Sequence, residues 1–179
     1  MELQTLAEAR RSVRNFQEGV SISREEMEQI IRCAQEAPSW KNSQTGRYYV
    51  ISGPEKVAEI SKKTLPEFNQ NSSKNAAALV VTTFEANRSG FERDGSPSNE
   101  IGNEWGAYDL GLQNMLLCLK AKELGFDSLI MGIRDADILR SELGIPESQH
   151  VVAVIALGKG AVEMARPERK ELETMTKFF

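Results

Sequence analysis

Arg10-Arg11-Ser12-Val13-Arg14-Asn15-Phe16 follows a short helical opening at about residues 2–9, and Ala37-Pro38-Ser39-Trp40-Lys41-Asn42-Ser43-Gln44 follows the next helical pattern. The first stretch breaks the apolar spacing before it and reads as a loop. It carries three guanidinium groups and a hydroxyl within five residues. Guanidinium forks match phosphate oxygens two at a time, and a serine hydroxyl with nearby backbone N–H groups fills further acceptor positions. The second stretch sets Pro, Ser, Asn and Gln on a rigid turn, offering amide and hydroxyl groups that suit the edge of a heterocycle. Each has a plainer reading when taken alone: a solvated basic turn for the first and a helix-stop loop for the second.

The sequence around these stretches alternates helices and strands. Ser23 and Glu26 have the form of a capping box, and Met27, Ile30, Ile31 and Ala34 follow at helical spacing. That helix ends before Pro38. Tyr48 to Ser52 reads as a strand closed by Gly53-Pro54, with a charged amphipathic helix to about Lys63 and a polar loop over 66–75. Ala78 to Phe84 is a continuous apolar run rich in β-branched residues, the pattern of a mid-sheet strand buried on both faces. Residues 86–102 are Gly-, Ser- and Asn-rich, and a loop of that length inside a compact domain is a lid candidate. From Trp105 to Leu124 apolar residues surround nearly the whole helical circumference, so this helix is buried on most sides. Gly125 stops it. A strand at Ser128–Met131, a helix capped by Asp135 or Asp137 and ended at Gly144-Ile145-Pro146, and a last strand at Val151–Leu157 complete the pattern. The roughly twenty residues after Gly158 end in Met175, Phe178 and Phe179, too few apolar groups to pack alone, and they need another surface.

Composition narrows the function classes. The chain has 179 residues, enough for one well-cored domain, taken here as 1–179. Its net charge of −4 provides no global field for nucleic acid or an anionic membrane. No apolar run approaches the roughly 18 residues of a membrane span, and the opening lacks the apolar core of a signal peptide, so the cytoplasm is the expected compartment. Cys33 and Cys118 form no Cys-x-x-Cys and read as reduced core residues. His150 is the sole histidine and sits at a strand end, while Asp135 and Asp137 suit a helix cap better than a metal, so no metal site is expected. Neither a Rossmann Gly-x-Gly-x-x-Gly nor a P-loop is present.

In this order and spacing, the two opening stretches resemble the nitroreductase family of flavoproteins, whose members open with Arg-Arg-Ser-x-Arg-x-Phe and follow with Ala-Pro-Ser-x-x-Asn-Ser-Gln. The likeness extends through Asp109 and Gln113-Asn114, Leu124-Gly125-Phe126, Met131-Gly132, Leu143-Gly144-Ile145-Pro146, Ala156-Leu157-Gly158 and Arg169-Lys170. It implies an α+β fold, a central mostly antiparallel sheet flanked by helices, in a homodimer whose C-terminal tail is exchanged between subunits.

The resemblance also implies the site. Arg10, Ser12 and Arg14 would bind the phosphate, ribityl chain and pyrimidine side of FMN, with Arg11 close by and Lys159 and Arg169 completing the phosphate pocket. Pro38, Ser39, Trp40, Asn42 and Gln44 would come from the other subunit to cover the ring. Asn71 and Lys74 resemble an Asn-x-x-Lys pair that contacts flavin in some members, with a different spacing to the next strand here. After Met131, the backbone N–H of Gly132 would face flavin N5, so no catalytic side chain is implied. The activity implied is NAD(P)H-dependent reduction of a nitroaromatic, quinone or similar electron-poor acceptor by ping-pong hydride transfer. Thr45-Gly46 and the Met131 and Ile133 neighbours of Gly132 depart from the family pattern. They leave open a specialised relative (reductive dehalogenation, enone reduction or flavin breakdown) and a flavin-binding protein without turnover.

Overall fold

The computed structural model describes residues 2–179. Its elements in chain order are α1 (Leu3–Ala9), α2 (Arg24–Gln35), β1 (Gly46–Ser52), α3 (Pro54–Thr64), α4 (Glu67–Ser72), β2 (Ala78–Glu85), α5 (Glu104–Glu123), β3 (Asp127–Met131), α6 (Ala136–Leu143) and β4 (Gln149–Gly158). The four strands form one antiparallel sheet in the order β1-β2-β4-β3. This is the expected α+β architecture.

Alternation along the strands builds two cores. Leu79 and Val81 of β2, with Leu129, Met131, Val154 and Ala156, face α3 and α6. Ala78 and Val80, with Ile155 and Leu157, face α2 and α5. Ser23 caps α2 in a full capping box with Glu26, Asp135 caps α6 through the Ile138 N–H, and Gly144 ends α6 at φ 64°. In β4 the register shifts by one residue opposite Thr82 and Thr83, a bulge at Val152.

Two expectations need revision. Residues 66–75 are not a plain loop, because α4 occupies Glu67–Ser72. Its buried positions, Asn69 and its C-cap Ser73, are polar and hide the helical spacing that a six-residue segment could show. Their hydrogen bonds are internal: Ser73 Oγ donates to the Asn69 carbonyl at 2.8 Å and Asn69 Nδ2 donates to the Ile133 carbonyl at 2.9 Å. The 86–102 segment lacks helix and strand but is fastened, with Ser89 buried and the Ser98 N–H on the Gly90 carbonyl at 2.8 Å.

Helix α5 lies so close to the sheet that Gly106 leaves no room for a side chain. A Cβ there would fall 2.3 Å from Cδ2 of the buried Phe84 ring. Gly106→Ala should therefore cost about 1–3 kcal/mol by overpacking, read as a lower denaturant midpoint at unchanged slope.

Candidate functional site

The 10–17 segment is held as an extra extended piece along the outer edge of the sheet. Val13 N–H donates to the Ser128 carbonyl at 3.0 Å, Gln17 N–H to the Lys159 carbonyl at 2.8 Å, and the Ala161 N–H to the Asn15 carbonyl at 2.8 Å. Val13 and Phe16 are buried in the core, which turns Ser12 and Arg14 outward. The segment thus lies beside the start of β3 and the end of β4, bringing Arg10, Arg11, Ser12 and Arg14 into the neighbourhood of Lys159.

The four cations are not equivalent. Arg11 turns back on its own chain, donating to the carbonyls of Glu8 and Arg10, and so closes the end of α1. Arg10, like Arg11, has a buried Nε without a partner. Its positive charge reaches Cys118 in the second half of α5. Burial pushes the Cys118 thiol pKa up, against the opposing effects of a hydrogen bond with Ser128 and the Arg10 charge. Arg14 reaches only the Ser12 carbonyl, at 3.4 Å. Among the described residues no carboxylate lies within ion-pair distance of Arg10, Arg14 or Lys159. A neighbouring cleft of about 470 Å³ includes Arg11 and Lys122, but Asp127 and Glu163 line it as well. With Asp127 paired to Lys122 at 2.7 Å, the cleft is the less cationic side of the segment.

From Ser12 the outer edge of β3 runs free to Gly132. Four residues separate Ser128 from Gly132, about 13 Å of strand. The β-ladder ends at the Met131–Val154 pair, so the Gly132 N–H is outside it. Met131 is buried and Gly132 exposed. A Cβ at Gly132 would meet nothing within 4 Å, so neither packing nor a left-handed backbone demands glycine there. Asn69, which the sequence reading passed over, fixes this turn through the Ile133 carbonyl. Its signal was one buried polar position in a short polar stretch.

The 37–44 segment forms a rigid loop elsewhere. Ser39 Oγ accepts the Gln44 N–H at 3.0 Å, and Trp40 N–H donates to Asp109 Oδ2 at 3.0 Å. Trp40 packs on Trp105 with ring centroids 4.8 Å apart, and its own buried Nε1 has no partner. Pro38, Asn42 and Gln44 are exposed. This loop docks at Asp109, nine residues before Cys118 on the same helix, about 13 Å along its axis. Within one chain, then, the 37–44 loop and the Arg10 cluster attach at different ends of α5.

Two further sets of expected residues are not brought to the cluster. Asn71 and Lys74 are exposed and line a different cleft, about 720 Å³, with Glu18, Ser61 and Lys62. The turn of α4 that directs Asn69 to Gly132-Ile133 directs these two away, so the pair does not join the 10–14 segment. Arg169 lies on the exposed tail, donating only to the Pro167 and Glu168 carbonyls at 3.3 and 3.5 Å. The tail runs past α1, where Arg166 meets Glu8 at 3.7 Å. Among the described residues there is no group of three His, Cys, Asp or Glu arranged to hold a metal, and no helix is long and apolar enough to cross a membrane.

Comparison with known proteins places the chain in a family. YdgI of Bacillus subtilis, provisionally named as an NAD(P)H nitroreductase, is 27% identical over 97% of this chain and 95% of its own. The CLA biosynthesis enone reductase of Lactiplantibacillus plantarum is 27% identical over 94% of this chain and 90% of its own. Among solved structures, a provisionally named nitroreductase of Exiguobacterium sibiricum in complex with FMN superposes with a TM-score of 0.87 at 23% identity, covering 100% of this chain and 98% of that one. The model of the nitroreductase family matches residues 7–159, from the last turns of α1 to the residue after β4, and the chain belongs to that family.

Proposed function

We propose that this chain is an NAD(P)H-dependent FMN oxidoreductase that acts in the cytoplasm as a homodimer on an electron-poor acceptor such as a nitroaromatic or quinone. The observation that carries the reading is the set of unpaired cations at Arg10, Arg14 and Lys159, placed beside an open strand edge that ends at Gly132. The residues fit FMN: the buried Arg10 Nε lacks an acceptor that a phosphate would supply, and the space over Gly132 leaves its backbone accessible to a flat ring. The Exiguobacterium structure is a complex with FMN, and YdgI is named as an NAD(P)H nitroreductase, in support of the same cofactor and donor here.

Bound there, the isoalloxazine would supply the redox chemistry, with the protein contributing binding, orientation and electrostatics. Arg10, Ser12 and Arg14, with Lys159, hold the phosphate and ribityl end. Gly132 leaves its N–H outside the ladder, free to donate toward the ring. Pro38, Ser39, Trp40, Asn42 and Gln44 cover the ring from the other copy, since within one chain this loop is anchored away from the cluster. Arg169 joins the phosphate end by way of the tail.

The dimer reading has its own support. Tyr108, Gly111 and Met115 follow at i, i+3 and i+7 on the exposed face of α5, leaving two large apolar groups in solvent around a glycine. Leu172, Met175, Phe178 and Phe179 of the tail are exposed too. Strand β1 is an open edge beside an apolar cleft that includes Met27, Ile31 and Val50, a surface that suits the tail of a second copy.

A second reading, enone reduction by the same site, draws support from the Lactiplantibacillus relative. Comparing turnover of an enone with that of a nitroaromatic under one electron donor separates the two.

The flavin reading is tested by anaerobic visible spectra of the purified protein. A band near about 450 nm that bleaches on NADH or NADPH establishes cofactor and donor together. A colourless protein that FMN cannot reconstitute overturns the reading. Arg10→Ala with Ser12→Ala should weaken FMN binding by about two orders of magnitude, the loss expected from removing charge-assisted contacts worth ~1.5–3 kcal/mol each, with circular dichroism unchanged.

The shared site is tested at Gly111, where a Cβ would meet nothing within 4 Å in one chain. Gly111→Glu should leave the chain folded, yet sedimentation should show a monomer that has lost flavin. A dimer with full flavin content would contradict a site built across α5.

A further inference from the structure

We propose that Asp109 is a positioning residue that couples the 86–102 segment to the ring-covering 38–44 loop, so that the two move as one unit and set acceptor affinity together. The acceptor part of this proposal rests on the flavin reading above; the coupling itself does not.

Asp109 is 3% exposed on α5, and no basic side chain among the described residues pairs with it. A buried carboxylate is costly unless hydrogen bonds satisfy it. Here one oxygen, Oδ2, accepts both the Trp40 N–H at 3.0 Å and the Ser89 hydroxyl at 2.7 Å. The direction of the chain of hydroxyls follows from that. Ser89 has one proton and gives it to the carboxylate, which can only accept. At the 2.7 Å contact between Ser43 Oγ and Ser89 Oγ the donor is therefore Ser43, and at the 3.3 Å contact Thr45 Oγ1 is the donor. Every bond points toward Asp109, and they come from residues 40, 43, 45 and 89.

The loop needs this hold. Lys41, Asn42 and Gln44 are non-glycine residues at φ 47°, 54° and 49°, a left-handed backbone that persists only where surroundings enforce it. A second polar link between the segments is the Lys41–Glu92 ion pair at 3.0 Å, whose side chains are 59% and 48% exposed. An ion pair that open to solvent contributes little. The buried carboxylate is the stronger tie.

Both tryptophans of the chain report on this junction. Trp40 begins the covering loop; Trp105 stacks on it at 4.8 Å and donates through Nε1 to Asn99 Oδ1 of the other segment at 3.0 Å. Their exciton couplet in far-ultraviolet circular dichroism is a local probe that needs no flavin.

The test compares Asp109→Ala, Asp109→Asn and Ser89→Ala in the full-length protein by the couplet, hydrogen exchange and steady-state kinetics. In Asp109→Ala the couplet should collapse, and exchange should rise about tenfold at residues 40–45 and 88–91 together, the change expected for loss of a charge-assisted hydrogen bond. Asp109→Asn should recover part of both signals. Ser89→Ala, which leaves the Trp40 bond intact, should still raise exchange in 43–45 as well as 88–91, and it carries the test if Asp109→Ala does not fold. Acceptor KM should rise about tenfold with kcat changed by less than about threefold. An unchanged couplet in Asp109→Ala, or exchange rising in only one of the two segments in either variant, overturns the coupling. If couplet and exchange change together in a protein that binds no flavin, the coupling stands and the flavin reading falls. If flavin binds and bleaches while the segments respond separately, the coupling falls alone.

Discussion

Strand β2 has no solvent-facing residue between Ala78 and Phe84, and an extended chain buried on both faces must have a layer on either side of it. This constraint arranges the rest of the molecule. Its neighbours in the sheet are β1 and β4, and β4 crosses over from the far end of the chain to lie beside it. Strand β3 is left at the margin with one ladder partner. Its other side receives Ser12 and Val13, which bond at its start and leave the remainder of the edge open. An anion-ready segment and an uncovered strand edge therefore lie side by side as a consequence of how the core is covered.

Helix α5 answers a second demand. Its polar residues lie within the fold and are hydrogen-bonded there: Asp109 to the Trp40 loop, Gln113 to Tyr48, Asn114 to Thr82. Its apolar residues extend to the outside at Tyr108 and Met115. A soluble surface helix shows the reverse arrangement. The inner side of α5 also carries Leu110, Leu117 and Cys118, so α5 presents apolar groups on both the side that meets the sheet and the side that faces out. The absence of a hydrophobic stripe was visible in the sequence, and its cause lies in this double role.

What was legible followed from strong local signals. The Ser23–Glu26 box, the β-branched run at Ala78 and the Gly125 and Gly144 stops each specify a backbone conformation by themselves. Helix α4 was not legible, since its buried groups, Asn69 and the Ser73 cap, are polar and Asn69 donates to the Ile133 carbonyl, a partner that only the fold brings near. The same limit applies to the site. Arg10 and Arg11 are adjacent and chemically identical and each has a buried Nε without a partner, yet only Arg11 tethers the carbonyls at the end of α1. Asn71 and Lys74 matched a spacing, but a six-residue helix has two sides, and Asn69 occupies the one that meets Gly132-Ile133. A motif fixes which residues are available. The direction each one points is decided by the packing of neighbours distant in sequence.

Electrostatics then separates the cations that serve the fold from those held in reserve. The chain is acidic overall, 26 carboxylate side chains against 22 basic ones, so pairing every lysine and arginine would be easy. On α3 and α6 it happens: Lys56 and Lys63 converge on Glu59, whose carboxyl is held down to about 2 by hydrogen bonds from both, and Lys63 also reaches Glu142. Those groups are exposed and contribute little to stability, and among the described residues other cations, Arg32, Lys62 and Arg93 included, also have no acidic partner within ion-pair distance. Around Arg10, Arg14 and Lys159 none is placed, although leaving a buried guanidinium N–H unpaired costs about 1–3 kcal/mol. A cost of that size is retained where a ligand repays it, because whatever binds the folded chain and not the unfolded one adds its binding free energy to stability. On the flavin reading proposed above, the phosphate is the counterpart of the deficit at Arg10.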